Sequence, residues 1–282
     1  PYHDTRVKML WDENYFYFAA LLEEPHVWAT ITERDEVIFK DNDFEIFLDP
    51  DGDTHNYYEI EVNALETEWD LILLKPYHDE NKVVIDSWDI PGLITQVHVD
   101  GTLNDPSDKD KSWSIEIAVP WRAFISNYRS NSPPEEGEQW KVNFSRVHWE
   151  TDIVNGKYLK KNTPEFNWVW SPQGLIYMHM PDLWGLVQFT ELPPENNQVQ
   201  FRESNLDKIK WALRQLYIRQ RNYYFKNEKY TASIQALDLK KAPAKGIPWP
   251  PKIVVTPSGW EASLNWNDQK VIIRKDGKVW AE

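Results

Sequence analysis

From Thr5 to about Thr190 apolar and polar side chains alternate, and the runs are separated by turn-forming Pro, Gly, Asn and Asp. A period of two is that of strands with one face in a core. In RVKMLWDENYFYFAALLEE (Arg6 to Glu24) two such runs flank Asp12-Glu13-Asn14, which predicts a hairpin. In DFEIFLD (Asp43 to Asp49), Phe44, Ile46 and Leu48 share one face while Asp43, Glu45 and Phe47 take the other. In YYEIEVNA (Tyr57 to Ala64), Tyr58, Ile60, Val62 and Ala64 oppose Glu59, Glu61 and Asn63. Further strands are predicted at Thr67–Lys75, Leu93–Gly101, Ser112–Pro120, Gln139–Trp149 and Gly185–Thr190, with little helix beyond short turns such as Trp121–Ser126. This spacing predicts a mainly β fold, an antiparallel β-sandwich. The pattern breaks at the Pro-rich ELPPENNQ (Glu191 to Gln198), so residues 1–192 are assigned to the sandwich and 193–204 to a linker. Residues 205–282 read as a small C-terminal α+β appendage. Ile209, Leu213, Leu216 and Tyr217 recur at helical spacing, with basic residues on a face that reads as solvated. A short helix is predicted near Thr231–Leu239. A hairpin is predicted between Lys252–Trp266 and Lys270–Glu282, with a tight turn at Asp276-Gly277.

Composition narrows the function. The chain has 282 residues, 41% of them apolar, enough for a sizeable core. Against 31 Lys and Arg stand 45 Asp and Glu, a formal net charge of −14, which argues against a nucleic-acid partner. No apolar run is long enough to span a bilayer, and no secretory leader stands at the start, where Pro-Tyr-His without Met suggests a processed chain. The absence of Cys excludes disulfides, thiolate metal sites and a Cys nucleophile. Sixteen Trp and thirteen Tyr exceed what packing needs, and exposed rings suit the flat faces of sugars. There is no G-x-S-x-G elbow and no Gly-rich phosphate loop.

Chemistry concentrates in DNDFEIFLDPDGDTHNYYEIEVN (Asp41 to Asn63), where carboxylates sit inside strands. Asp49, Asp51 and Asp53 at alternate positions, followed by Glu59, suit a hard cation such as calcium, although the loop is not an EF-hand, and an acidic turn without metal reads equally well. Glu45 and Glu61 fall on the non-core faces of their strands. There they read as solvated residues, as acceptors for adjacent sugar hydroxyls, or as the carboxylate pair of a glycoside hydrolase.

Three motifs in order, DNDFEIFLDPDGD, SWSIEIAVPW (Ser112 to Trp121) and WSPQGLIYMHMPDLWG (Trp170 to Gly185), resemble the family 9 carbohydrate-binding modules, especially the family-9-like proteins of bacterial polysaccharide users. The resemblance spans roughly Thr5 to Thr190. It implies a jelly-roll sandwich, a structural calcium, no organic cofactor, and export to the periplasm or cell surface. It also implies non-catalytic binding of an oligo- or polysaccharide clamped between aromatic rings. The family's sugar-binding Glu matches Glu45, and its first clamp aromatic matches Phe39 in place of Trp. Its binding Arg falls on or near Glu61, and its second clamp Trp falls on Met178. Arg146 could resupply the positive group, with Asn42, Tyr177 and His179 completing the ring of contacts. Related DOMON-like sandwiches carry haem, which makes His179 between Met178 and Met180 an alternative ligand set, and a purely architectural role is a further alternative.

Overall fold

The computed structural model describes residues 2–79, 83–124, 132–175, 177–195 and 198–282. In chain order the first region carries β1 (Thr5–Trp11), β2 (Tyr15–Glu23), β3 (Asp43–Asp49), β4 (Tyr57–Asn63), β5 (Glu68–Leu73), β6 (Val84–Ile85) and β7 (Ile94–Asp100). It continues with β8 (Ser112–Pro120), β9 (Gln139–His148), β10 (Thr151–Val154), β11 (Lys157–Lys160), β12 (Phe166–Val169) and β13 (Gly185–Gln188). Of the Trp121–Ser126 turn, Trp121–Ala123 forms one turn of 3-10 helix, and Ile125 and Ser126 lie outside the described residues. Asn196 and Asn197 of the linker also lie outside them.

The strands make a jelly-roll sandwich. One sheet has the order β1-β2-β8-β7; the other runs β12-β9-β3-β4-β5-β6, with β13 also paired to β9. The predicted hairpin forms as expected, with Trp11 opposite Phe16 at its closed end. Between the sheets lie the apolar halves of the alternating runs: Phe16 and Phe18 of β2, Ile115 and Ile117 of β8, Phe44 and Ile46 of β3.

The far face of the larger sheet departs from a one-sided alternation. Every residue of β3 and β4 is buried. Phe47, Tyr57, Leu71, Leu73 and Trp184 form a second apolar cluster there, with Met178 and Tyr77 packed against it. Residues 170–175 and 177–184 cover this face, tied to it by Asn143, whose amide donates to the Ser171 carbonyl while its oxygen accepts from the Ser171 N–H.

In the C-terminal region the predicted helix is α1 (Asn205–Asn227), capped by the Ser204 hydroxyl, which accepts from the Asp207 N–H at 3.1 Å. The short helix expected near Thr231–Leu239 is instead a run of turns, in which Leu237 N–H donates to Ser233 and Leu239 N–H to Ile234. Asp238 takes a left-handed φ of 55°, which ends any helix, and one isolated turn has too few bonds to offset its nucleation cost. The single expected hairpin is a four-stranded antiparallel sheet, β14 (Lys252–Thr256), β15 (Gly259–Trp266), β16 (Gln269–Arg274) and β17 (Val279–Ala281).

The basic face of α1 is not simply solvated. Arg214 is fully buried, with Nη1 3.1 Å from Asp79 and 3.0 Å from the Gly277 carbonyl. Lys141 of β9 lies 2.7 Å from Asp207 of α1. Gly277 has φ +91°, and a Cβ there would lie 2.6 Å from Arg214 and 2.7 Å from Asp79, so only glycine closes this joint. The appendage is therefore docked on the sandwich through charge pairs and backbone bonds, including Val279 N–H to the Asp53 carbonyl at 3.1 Å.

Candidate functional site

Strand register gathers the predicted carboxylates. Glu45 of β3 stands opposite Glu61 of β4 and, on its other side, Ser145 of β9, while Glu61 stands opposite Trp69 of β5. In the neighbouring row Phe47 faces Glu59, and beyond Glu45 lies Asp43, opposite Asn63. Period-two parity thus stacks Asp43, Glu45, Glu59 and Glu61 on the face away from the main core. They are not solvated: all four are at least 96% buried.

Above them opens a cavity of about 510 Å³. Phe39, Glu45, Glu61, Tyr177, Met178 and His179, all anticipated from the sequence, line it together. Phe39 sits on the turn Ile38–Lys40 and is held from both sides: its N–H donates to Glu61 Oε2 at 2.9 Å, and its carbonyl accepts from Trp149 Nε1 at 2.8 Å. His179 is 3.0 Å from the Tyr57 hydroxyl through Nδ1, lies 4.0 Å from Glu59, and packs on Tyr77 with ring centroids 4.1 Å apart. Met178 packs into the second apolar cluster, and its carbonyl accepts from Trp184 Nε1 at 2.8 Å. Tyr177 is half exposed at the rim.

Two anticipated residues lie elsewhere. Arg146 shares the core-side parity of Phe144 and pairs in register with Phe44, so it points between the sheets, where its guanidinium meets Glu24 at 2.7 Å. Asn42 joins the same cluster, with Nδ2 3.4 Å from Glu24 and its oxygen accepting from Trp149 N–H. Strand parity relative to Phe44 and Phe144 places both of them away from the cavity. Conversely Trp69, Tyr77, Glu165 and Phe166 line the cavity without having been singled out, and Glu59, expected beside the aspartate loop, lines it as well. Glu59 was readable from the same alternation as Glu61. Trp69 needed the β4–β5 register, and Glu165 and Phe166 needed the pairing of β12 with β9.

Burial is the main force on these acids. It pushes Glu45 up to about 7, with the Ser145 hydroxyl opposing. Asp43, Glu59 and Glu61 are also raised, first by burial and then by the charge of Glu45. The nearest oxygens of Asp43, Glu45 and Glu61 fall within 4.8 Å of one another. Such a floor can accept hydrogen bonds from hydroxyls or meet positive charge. Glu45 and Glu61 stand side by side on neighbouring strands of one sheet face.

Asp49, Asp51 and Asp53 also converge within 4.8 Å, an oxygen set suited to calcium. Their oxygens are already engaged. Asp49 accepts from Gly52 and Thr54 N–H, both at 3.0 Å; Asp53 accepts from His55 N–H at 2.7 Å and pairs with Lys278 at 2.8 Å. Lys210 Nζ takes the Asp51 and Gly52 carbonyls. Two ammonium groups and these N–H donors thus already approach the oxygens that a cation would use.

The profile of carbohydrate-binding family 9 matches residues 5–189. The chain belongs to that family. Among solved structures similar to this family 9 chain is a candidate carbohydrate-binding protein from Bacteroides uniformis, 17% identical with a TM-score of 0.47, the match covering 66% of this chain and 78% of that one. A family 9 module from Caldicellulosiruptor kristjanssonii in complex with glucose is 16% identical with a TM-score of 0.40, covering 70% and 82%. The same module in complex with cellotriose is 15% identical with a TM-score of 0.40, covering 72% and 83%. No curated protein matches the chain.

Proposed function

We propose that this family 9 chain binds an oligo- or polysaccharide without cleaving it, as an exported component of bacterial glycan use. The carrying observation is the convergence of Phe39, Glu45, Glu61, Tyr177 and His179 on one cavity, within a chain of this family. An exposed ring beside paired acceptors is the minimum machinery for a pyranose: the ring covers a C–H face while carboxylate oxygens take adjacent hydroxyls. Among the described residues no helix is long and apolar enough to cross a membrane, which accords with an exported module. We read the Asp49–Asp53 loop as an ammonium-bridged junction between sandwich and appendage in place of a calcium site.

The test is a glycan array followed by calorimetry. Phe39→Ala should weaken the best ligand about three- to tenfold, the value of one stacking contact. Prolonged incubation should release no reducing sugar; release that Glu45→Gln abolishes would make the protein a hydrolase.

A further inference from the structure

Building on the carbohydrate reading, we propose that the cavity takes a saccharide bearing a protonated primary amine, an amino sugar without N-acetylation, its ammonium seated between Glu45 and Glu61. Apart from His179, which lies 4.0 Å from Glu59, the charge inventory is one-sided. Glu45, Glu59, Glu61 and Glu165 line the cavity, and none of its described lining residues is Lys or Arg. Glu45 is 96% buried, and its Oε2 has no hydrogen-bond partner, nor does Oδ2 of the adjoining Asp43. Buried polar atoms are normally hydrogen-bonded, and the protein itself leaves these two oxygens unmet.

Geometry suits an ammonium. Its tetrahedral N–H groups, with charge-assisted bonds of roughly 2.8 Å, reach acceptors about 4.6 Å apart. Glu45 and Glu61 are cross-strand partners with oxygens within 4.8 Å. The walls are rings, Phe39, Trp69, Tyr77, Phe166 and Tyr177, whose faces attract an organic cation. Calcium asks for about six to eight oxygens, and these walls supply few beyond the floor. A neutral sugar's hydroxyls would hydrogen-bond the carboxyl groups but bring no charge to draw them into the ionised form, as an ammonium does.

The experiment titrates the whole chain, in chelator and at a pH where the amine is charged, with three oligomers of equal length: β-1,4-linked glucosamine, its N-acetylated counterpart and the glucose counterpart. The glucosamine oligomer should bind at least about tenfold tighter than the other two, the value of one charge-assisted contact. Glu45→Gln should erase that preference, and since glutamine keeps the shape, circular dichroism and melting confirm the variant is folded. Equal or tighter binding of a neutral oligomer overturns the amine assignment and leaves carbohydrate binding standing. Neutral-sugar binding that appears only on adding calcium overturns it as well, assigning the floor to a metal ion. If no saccharide from a broad array binds, both readings fall.

Discussion

Two acidic clusters lie a few residues apart in this chain and have opposite fates. In the Asp49–Asp53 loop every carboxylate is answered from within, by N–H groups and by Lys278, with Lys210 on the adjoining carbonyls. On the cavity floor, Asp43 and Glu45 each keep an oxygen without a hydrogen bond. Both sites are rich in negative charge and, apart from the exposed Asp51, buried, so the difference lies in what the rest of the fold brings to them. Where the appendage supplies cations the cluster is a joint; where it does not, the cluster is left for something from outside.

The largest effect should come from removing an internal counterion. Arg214→Ala would leave Asp79 buried beside an empty guanidinium site and should cost about 3–5 kcal/mol in urea unfolding, with loss of cooperativity between sandwich and appendage. A stability change under ~1 kcal/mol would show that the joint does not hold the two regions together.

The cavity acids should behave in the reverse sense. Burial raises Glu45 to about 7 from an ordinary 4.5. The folded state therefore holds its proton more tightly than the unfolded chain. That contribution is full below the unfolded value and is lost as pH rises through the folded one. In chelator, stability should fall between about pH 4.5 and 7, by roughly 1–3 kcal/mol. Glu45→Gln should flatten this slope and melt higher than the parent at neutral pH, while losing ligand. A Glu45→Gln variant less stable than the parent at neutral pH would mean the carboxylate is satisfied within the fold.

Smaller effects separate the clusters further. Lys278→Ala should cost about 1 kcal/mol, because the lysine is part-exposed while Asp53 is not. Calcium added to the parent should leave the melting temperature unchanged, whereas in Lys278→Ala it should raise it. A calcium-dependent rise in the parent would restore the loop as a metal site.

Much of this was legible in the chain. Alternation in Asp43–Asp49 and Tyr57–Asn63 was enough to put Glu45 and Glu61 on one face, because side-chain direction in a strand depends only on position along it. The same rule accounts for the two residues expected at the site that lie elsewhere: Arg146 shares its parity with Phe144, and Asn42 shares that of Phe44. The resemblance suggested a positive group near the sugar, and parity shows why neither residue reaches the cavity. Helical spacing gave α1, but which basic residues would be buried was not readable, since Arg214 and Lys210 differ only in what the sandwich places opposite them.

By itself, then, the sequence determined the periods: which residues form strands, which faces they take, and that one face of β3 and β4 collects carboxylates. Only tertiary structure decided that this face is roofed by residues 170–175 and 177–184, that Trp69 and Phe166 wall the cavity, and that lysines of the appendage close the aspartate loop. The physical reason is range. Alternation is set by backbone geometry between neighbouring residues, whereas burial and the pairing of charge depend on segments more than a hundred residues apart whose approach no local pattern records.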